Sequence, residues 1–527
     1  MCTAKSSNRS SPRTLQLQNP RSVSIFTKHY DSNRSACWCR PNGRSRIERC
    51  GDIHTPRAGS QNIRRSSRNR NTSIRIPALA QGLTTINLEG LSIMARLLFS
   101  RVLLVLVAST FLQSQVTKAD WPAFLGGKSR STVTDFTPPL KWNPEEGIGW
   151  QTSLPGHGQS SPVIVGDRIY VTAVEGPMKN DNLVICHQLT TGEVLWKRSF
   201  PSSLPVANNV YTSRAAPTPT ADESGVFAFF ESGNLVALSS EGEVRWERDL
   251  IKDYGKYVGR FGLGGSVAQL GDQIFIVADN DGPSYIAGFD KKTGETSWKT
   301  DRDSRISWSS PMMVKIDGKD QIVISSSGSV DGYDPTNGKQ LWTYNNVGGN
   351  TVPSTIDAGD GSFLVGASPG RNGEASEGAK ESNLMMKIIA SDDGFQPKVL
   401  WQSKDATSSF GSPIVYKGHA YYTNRAGVLY CIDATTGETN YTARMADSNW
   451  ATPVGVGEHI FFFGKDGRTT IVQAGPKKEI LDENQLWDSE GGGGPGGFGG
   501  EIQYGVAPTR NGFVVRTGTK LFLIGKP

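Results

Sequence analysis

Cysteine is scarce: there are six in 527 residues, and four of them (Cys2, Cys37, Cys39 and Cys50) precede residue 51. A disulfide framework of the kind that staples small exported domains is therefore not expected downstream. Cys186 and Cys431 each stand six residues before a turn glycine, Gly192 and Gly437. They thus occupy equivalent places in two repeats and are expected as separate buried thiols. Histidine is equally sparse. His187, His419 and His459 sit in or beside strand patterns, with no His-Glu-x-x-His spacing to suggest zinc. The phosphate-binding Gly-x4-Gly-Lys-Ser/Thr loop is missing, which removes the usual sign of nucleotide chemistry. Asp279-Asn280-Asp281-Gly282 lacks the later glutamate of a calcium loop and reads as a plain turn. No metal is assigned.

Long apolar runs are missing too. The strongest, Val102 to Leu112, is shorter than the ~20 residues a spanning helix needs. With Arg96 and Arg101 before it and Thr117-Lys118-Ala119 after it, residues 94–119 read as an export signal beginning at Met94. Residues 1–93 carry 16 basic groups against 4 acids without sustained apolar periodicity, and read as a basic, disordered arm or a start-site artefact. These two segments account for the formal charge of +6; from Asp120 onward, 37 basic residues face 46 acidic ones. Such a balance gives no electrostatic footprint for nucleic acid.

Glycine is abundant, at 60 residues, and it marks a repeat. Gly192 and Trp196, Gly242 and Trp246, Gly294 and Trp298, Gly338 and Trp342, and Gly437 and Tyr441 each place an aromatic four residues after a turn glycine. Glycine permits the left-handed backbone of a tight hairpin, and a residue four further on points consistently to one face of the next strand. Asp290, Asp334 and Asp433 stand four residues before their glycines, where a short acid fixes a turn by accepting local backbone N–H groups. A second marker opens each repeat: Ser160-Ser161-Pro162, Ala215-Ala216-Pro217, Ser309-Ser310-Pro311, Gly411-Ser412-Pro413, Ala451-Thr452-Pro453 and Val506-Ala507-Pro508, with weaker copies at Gly265-Ser266-Val267 and Val352-Pro353-Ser354. Eight starts at a spacing near fifty residues predict an all-β, eight-bladed propeller of four-stranded antiparallel blades over residues 120–527. A strand near Gly149–Leu154 should complete the last blade and close the ring.

These glycine and tryptophan repeats resemble the quinoprotein (PQQ-like) β-propeller family. Trp121-Pro122-Ala123-Phe124 is similar to the opening of many secreted bacterial members. The resemblance covers about residues 120 to 527 and implies one of two activities. Some members are non-enzymatic binding or scaffolding propellers, similar to the outer-membrane-barrel assembly protein BamB, and engage a protein or polymer. Others are pyrroloquinoline-quinone- and calcium-dependent alcohol or polymer dehydrogenases of the periplasm. Family dehydrogenases usually show two adjacent cysteines beside the quinone, and this sequence has no Cys-Cys after residue 93. The binding reading is therefore preferred, with no cofactor, a monomeric state and a periplasmic or envelope location expected. A carbohydrate-binding propeller is a third possibility.

Segments leading into the repeat starts should line one mouth of the channel. They supply His157, Gln159, Arg214, Arg260 with Phe261, Trp308, Asn350, Phe410, Trp450 and Tyr504 as candidate ligand contacts. Two loops, Gly366 to Ser382 and Gly491 to Gly500, are expected as mobile rims around that face.

Overall fold

A computed structural model describes residues 120–368, 378–488 and 500–526. The segments read as a basic arm and an export signal, and most of the two expected rim loops, lie outside these residues. The described residues form eight antiparallel sheets, each with four strands of one blade, and only short helical turns. Blade 1 holds Val163–Val165, Arg168–Glu175, Asp181–Gln188 and Val194–Pro201, in that order from inside to outside. Six further blades repeat this arrangement. Blade 8 takes three strands from the C-terminal end and its outer strand, Ile148–Ser153, from before blade 1, with Trp150 opposite Leu523. Strands from both ends therefore share one sheet, which leaves no edge open at that point.

Each turn glycine serves two needs at once. Gly192, Gly242, Gly294, Gly338 and Gly437 have φ between 71° and 83°, a left-handed backbone that side chains resist. Each also lies flat against the tryptophan of the preceding blade: a Cβ on Gly242 would lie 2.6 Å from the Trp196 ring, and one on Gly294 the same distance from Trp246. The indole N–H then donates across the seam. Trp196 reaches Ser240 O at 2.8 Å, Trp246 reaches Lys291 O at 2.9 Å, and Trp298 reaches Pro335 O at 2.8 Å. Trp342 departs from the pattern, donating to Gln321 Oε1 of its own blade at 2.8 Å. The turn acids behave as expected: Asp290 Oδ1 accepts from the Lys292 and Thr293 N–H groups at 2.9 and 2.8 Å, and Asp433 Oδ1 accepts from Thr435 and Thr436 at 2.9 Å.

The repeat-start marker has a different meaning from its proline. A hydroxyl relay runs around the inner wall, each backbone N–H donating to the next blade: Ser161 to Thr218 (2.9 Å), Thr218 to Ser266 (3.2 Å), Ser266 to Ser310 (3.0 Å), Ser310 to Ser354 (2.8 Å), Ser354 to Ser412 (3.0 Å) and Ser412 to Thr452 (3.1 Å). In blades 2 and 5 the aligned residue follows the proline instead of preceding it. The structurally equivalent feature is thus the hydroxyl.

One end of the ring is closed by the chain itself. Trp121 exchanges both backbone hydrogen bonds with Ile164 of blade 1 (2.8 and 3.0 Å), and Pro122 O accepts from Ala221 of blade 2 (2.8 Å). Ser129 O accepts from Asp357 of blade 5 (3.0 Å), and Thr132–Val133 pairs in parallel with Gly455–Val456 of blade 7. Residues 121–133 therefore join inner strands on opposite sides of the ring. All these contacts fall within the inner strands, beyond the repeat starts, and leave the side where the chain enters those strands for a site.

Candidate functional site

At the entry face, loops from several blades bring six of the candidate residues together. His157 exchanges backbone hydrogen bonds with Val174 (3.0 and 2.8 Å), which fixes its ring at 6.0 Å from that of Tyr504. Tyr504 meets Trp450 at 6.4 Å, and Trp450 meets Phe410 at 4.6 Å. Three rings from the loops entering blades 1, 7 and 6 and one from the start of the first strand of blade 8, Gln503–Thr509, thus make one continuous arc. Contacts of this kind are worth ~0.5–1.5 kcal/mol each, enough to hold the arc in shape without a ligand. Phe410 at its end is 39 % exposed.

Gln159 and Arg214 complete the group. Gln159 Oε1 accepts the Arg214 backbone N–H at 2.9 Å, and the Gln159 N–H donates to Arg214 O at 3.0 Å, so Gln159 positions the arginine. The Arg214 guanidinium bonds the Tyr504 hydroxyl; burial lowers its pKa, while Tyr504 and Glu231 act the other way. Its Nε is buried with no partner among the described residues. Behind it lies Arg516, wholly buried at the seam of blades 8 and 1. This arginine was not a sequence candidate, although a lone charge after Phe513-Val514-Val515 was a visible signal. His157 feels both cations: burial, then Arg214, then Arg516, push its pKa down to about 3, so the imidazole is neutral.

Arg260 and Trp308 belong to a separate cavity of ≈ 420 Å³, covered by the segments 202–212 and 256–263. Arg260 lies 5.2 Å over the Phe261 ring, which meets Trp308 edge-on at 6.1 Å. The Trp308 indole N–H is spent on Gly262 O at 2.8 Å. Inside, Lys179 and Glu231 form a buried ion pair at 3.2 Å. Asn280 Oδ1 accepts the Val258 and Gly282 N–H groups (3.0 and 2.7 Å), the turn role expected of that acidic stretch.

Asn350 is displaced from the expected set. It is fully buried, with Nδ2 donating to Ser325 Oγ, Ser326 O and Ser329 O at 2.9, 2.7 and 2.9 Å. Every donor it has is consumed in holding the second hairpin of blade 4, so it faces no ligand.

A family model described as outer membrane protein assembly factor BamB matches residues 114–261 and 255–443. The chain belongs to that family. No curated protein sequence matches it. Among solved structures, BamB from Moraxella catarrhalis is 14 % identical, with 71 % of this chain and 96 % of that one covered at a TM-score of 0.50. The quinohemoprotein alcohol dehydrogenase from Comamonas testosteroni is also 14 % identical, with 78 % and 81 % covered at a TM-score of 0.49. At this identity the likeness to the Moraxella structure speaks for the fold alone.

The resemblance to quinoproteins also raised a quinone with calcium as the alternative. Calcium takes six to eight oxygens, usually with carboxylates among them. Among the described residues no three His, Cys, Asp or Glu side chains gather in one place. Of Trp308, Asn350 and Arg214, the residues that would supply fragments of such a site, the first two have polar groups engaged within the fold, and the Arg214 Nε has no partner among the described residues. Cys186 and Cys431 are free, buried thiols in blades 1 and 6.

Proposed function

We propose that this chain is an exported, non-catalytic binding propeller of the cell envelope that holds a segment of a partner polypeptide across the aromatic arc of its entry face. The carrying observation is that arc: Phe410, Trp450, Tyr504 and His157 touch in sequence although they come from four blades. Aromatic groups fixed by one another lose little freedom on binding, which is why tryptophan and tyrosine dominate the energetics of interfaces. The closed far end supports the reading, since it leaves the mouth a blind surface in place of a passage. Membership of a family described by an assembly factor supports a protein partner.

Peptide display against the immobilised full chain tests the proposal. Selected peptides are expected to lose tenfold or more in affinity to Trp450→Ala, about 1.4 kcal/mol or more. Peptides that bind Trp450→Ala and the parent equally, or a failure to select any, would overturn it.

A further inference from the structure

Arg516 is an unusual buried cation in this protein. Arg302, the comparable case, is buried against Asp279 at 2.8 Å and Asp331 at 3.3 Å, and its acids hold its pKa up. Arg516 instead donates to Ser160 O (3.1 Å), Ser160 Oγ and Thr172 O, all uncharged, and its Nε has no partner among the described residues. Burial draws its pKa down, with only Tyr504 acting in the opposite sense. In front of it stands Arg214, whose one acidic influence, Glu231, is already held by Lys179 at 3.2 Å. Two guanidinium groups thus share one corner of the mouth without a carboxylate of their own.

That corner opens as a pocket of ≈ 210 Å³ lined by His157, Arg214, Tyr504, Glu501 and Thr519 among others. Its volume is below the ~300–1,000 Å³ of pockets that enclose drug-sized ligands, so it suits a single side chain. Glu501 is the one acid at its lip, and its two oxygens accept from Thr519 Oγ1 at 3.2 and 3.3 Å. His157 and Tyr504 belong both to the pocket and to the arc. A polypeptide laid on the arc therefore passes directly over the opening.

We infer that this pocket, at the seam of blades 8 and 1, receives one carboxylate side chain, aspartate or glutamate, from the polypeptide held on the arc. The inference rests on the polypeptide reading for its source of ligand. The charge it describes does not. A carboxylate entering here takes a charge-assisted bond from Arg214, whose fork suits two-point contact, while the wholly buried Arg516 acts on it only through its field. In a recess walled by protein that attraction is screened less than at an open surface. The neutral His157 ring forms part of the wall and adds no charge of its own.

The test titrates the full chain with N-acetyl-glutamate α-amide and, in parallel, with N-acetyl-glutamine amide, following ligand signals by saturation-transfer NMR. The acid is expected to saturate at millimolar concentration and the glutamine analogue to bind at least tenfold more weakly. Arg214→Met should abolish the difference and Arg214→Lys should retain part of it, with thermal melts confirming that both variants are folded. Glu501→Gln should strengthen the acid, because it removes a competing carboxylate. An equal response to both probes, or acid binding unchanged in both Arg214 variants, overturns the inference. The display experiment separates the two readings. Peptides that depend on Trp450 but show no preference for acids remove the pocket and leave the arc. An acid probe that saturates where no peptide needs Trp450 removes the arc alone.

Discussion

The imidazole of His157 gives the charge at the mouth a measurable consequence for stability. Its pKa is pushed from 6.5 down to about 3, first by burial and then by Arg214 and Arg516. In the unfolded chain the same group titrates near its ordinary value, so as pH falls below 6.5 the unfolded state takes up a proton that the folded state refuses. Stability from this group is therefore intact above pH 6.5 and is lost progressively as pH falls toward 3. At pH 4.5 an unfolded histidine is about 99 % protonated and His157 only about 3 %, which corresponds to a loss of about 2.7 kcal/mol. His187 is also held low by burial and adds to the acid lability. A difference between variants is thus the proper measure. Urea unfolding of the parent and of His157→Gln at pH 7.5 and 4.5 should show the variant losing about 3 kcal/mol less between the two conditions. The same loss in both proteins would mean that His157 is not shielded from protons in the folded state, and the account of the charged mouth would fail with it.

Two substitutions examine the frame that presents this site. Gly242→Ala places a methyl group 2.6 Å from the Trp196 ring at φ 83°; a left-handed residue alone costs about 1–2 kcal/mol, so thermal unfolding should register that much or more, and a neutral result would refute the seam packing. Trp121→Ala empties a buried position packed against Leu154, Ile164 and Ile169. Loss of such a ring costs about 3–5 kcal/mol, and denaturant unfolding showing less than about 1 kcal/mol would mean that residues 121–133 do not close the far end as described.

The fold was legible because its signal repeats. One glycine turn with a tryptophan four residues on is weak evidence, but the same pair at Gly192, Gly242, Gly294 and Gly338 fixes turn, strand face and seam together. The site was legible only in part. The structure does bring His157, Arg214, Phe410, Trp450 and Tyr504 together, as the converging entry segments led one to expect, yet position along such a segment does not say whether a side chain points outward or inward. Asn350 turned inward because three oxygens of the Ser325–Ser329 turn needed its donors. The hydroxyl relay escaped notice because serine and threonine are common and the conspicuous proline shifts register beside them. Residues 121–133 looked like a mere beginning; their role depends on contacts as distant in the chain as that of Ser131 with Pro453, 322 residues on, which no local pattern records.

The seam at which the site lies differs from the others for a reason that can be traced through single residues. The relay of hydroxyls stops after Thr452, because the aligned residue of blade 8, Ala507, has no hydroxyl to accept the next N–H. At the following seam blade 8 brings Gly505 against Ser161, where a Cβ would lie 2.6 Å from both the Cα and the Oγ of that serine, so no side chain fits there. Arg516 spans that seam, reaching Ser160 and Thr172 of blade 1 from the second strand of blade 8. A hydroxyl carries no net charge, but a guanidinium does, and buried among neutral acceptors that charge is only partly offset. Arg214, held by Gln159, adds a second cation in front of it. The carboxylate-seeking corner of the mouth is thus a consequence of how this ring closes, and substituting the closing arginine should alter both the stability of the seam and the affinity of the pocket.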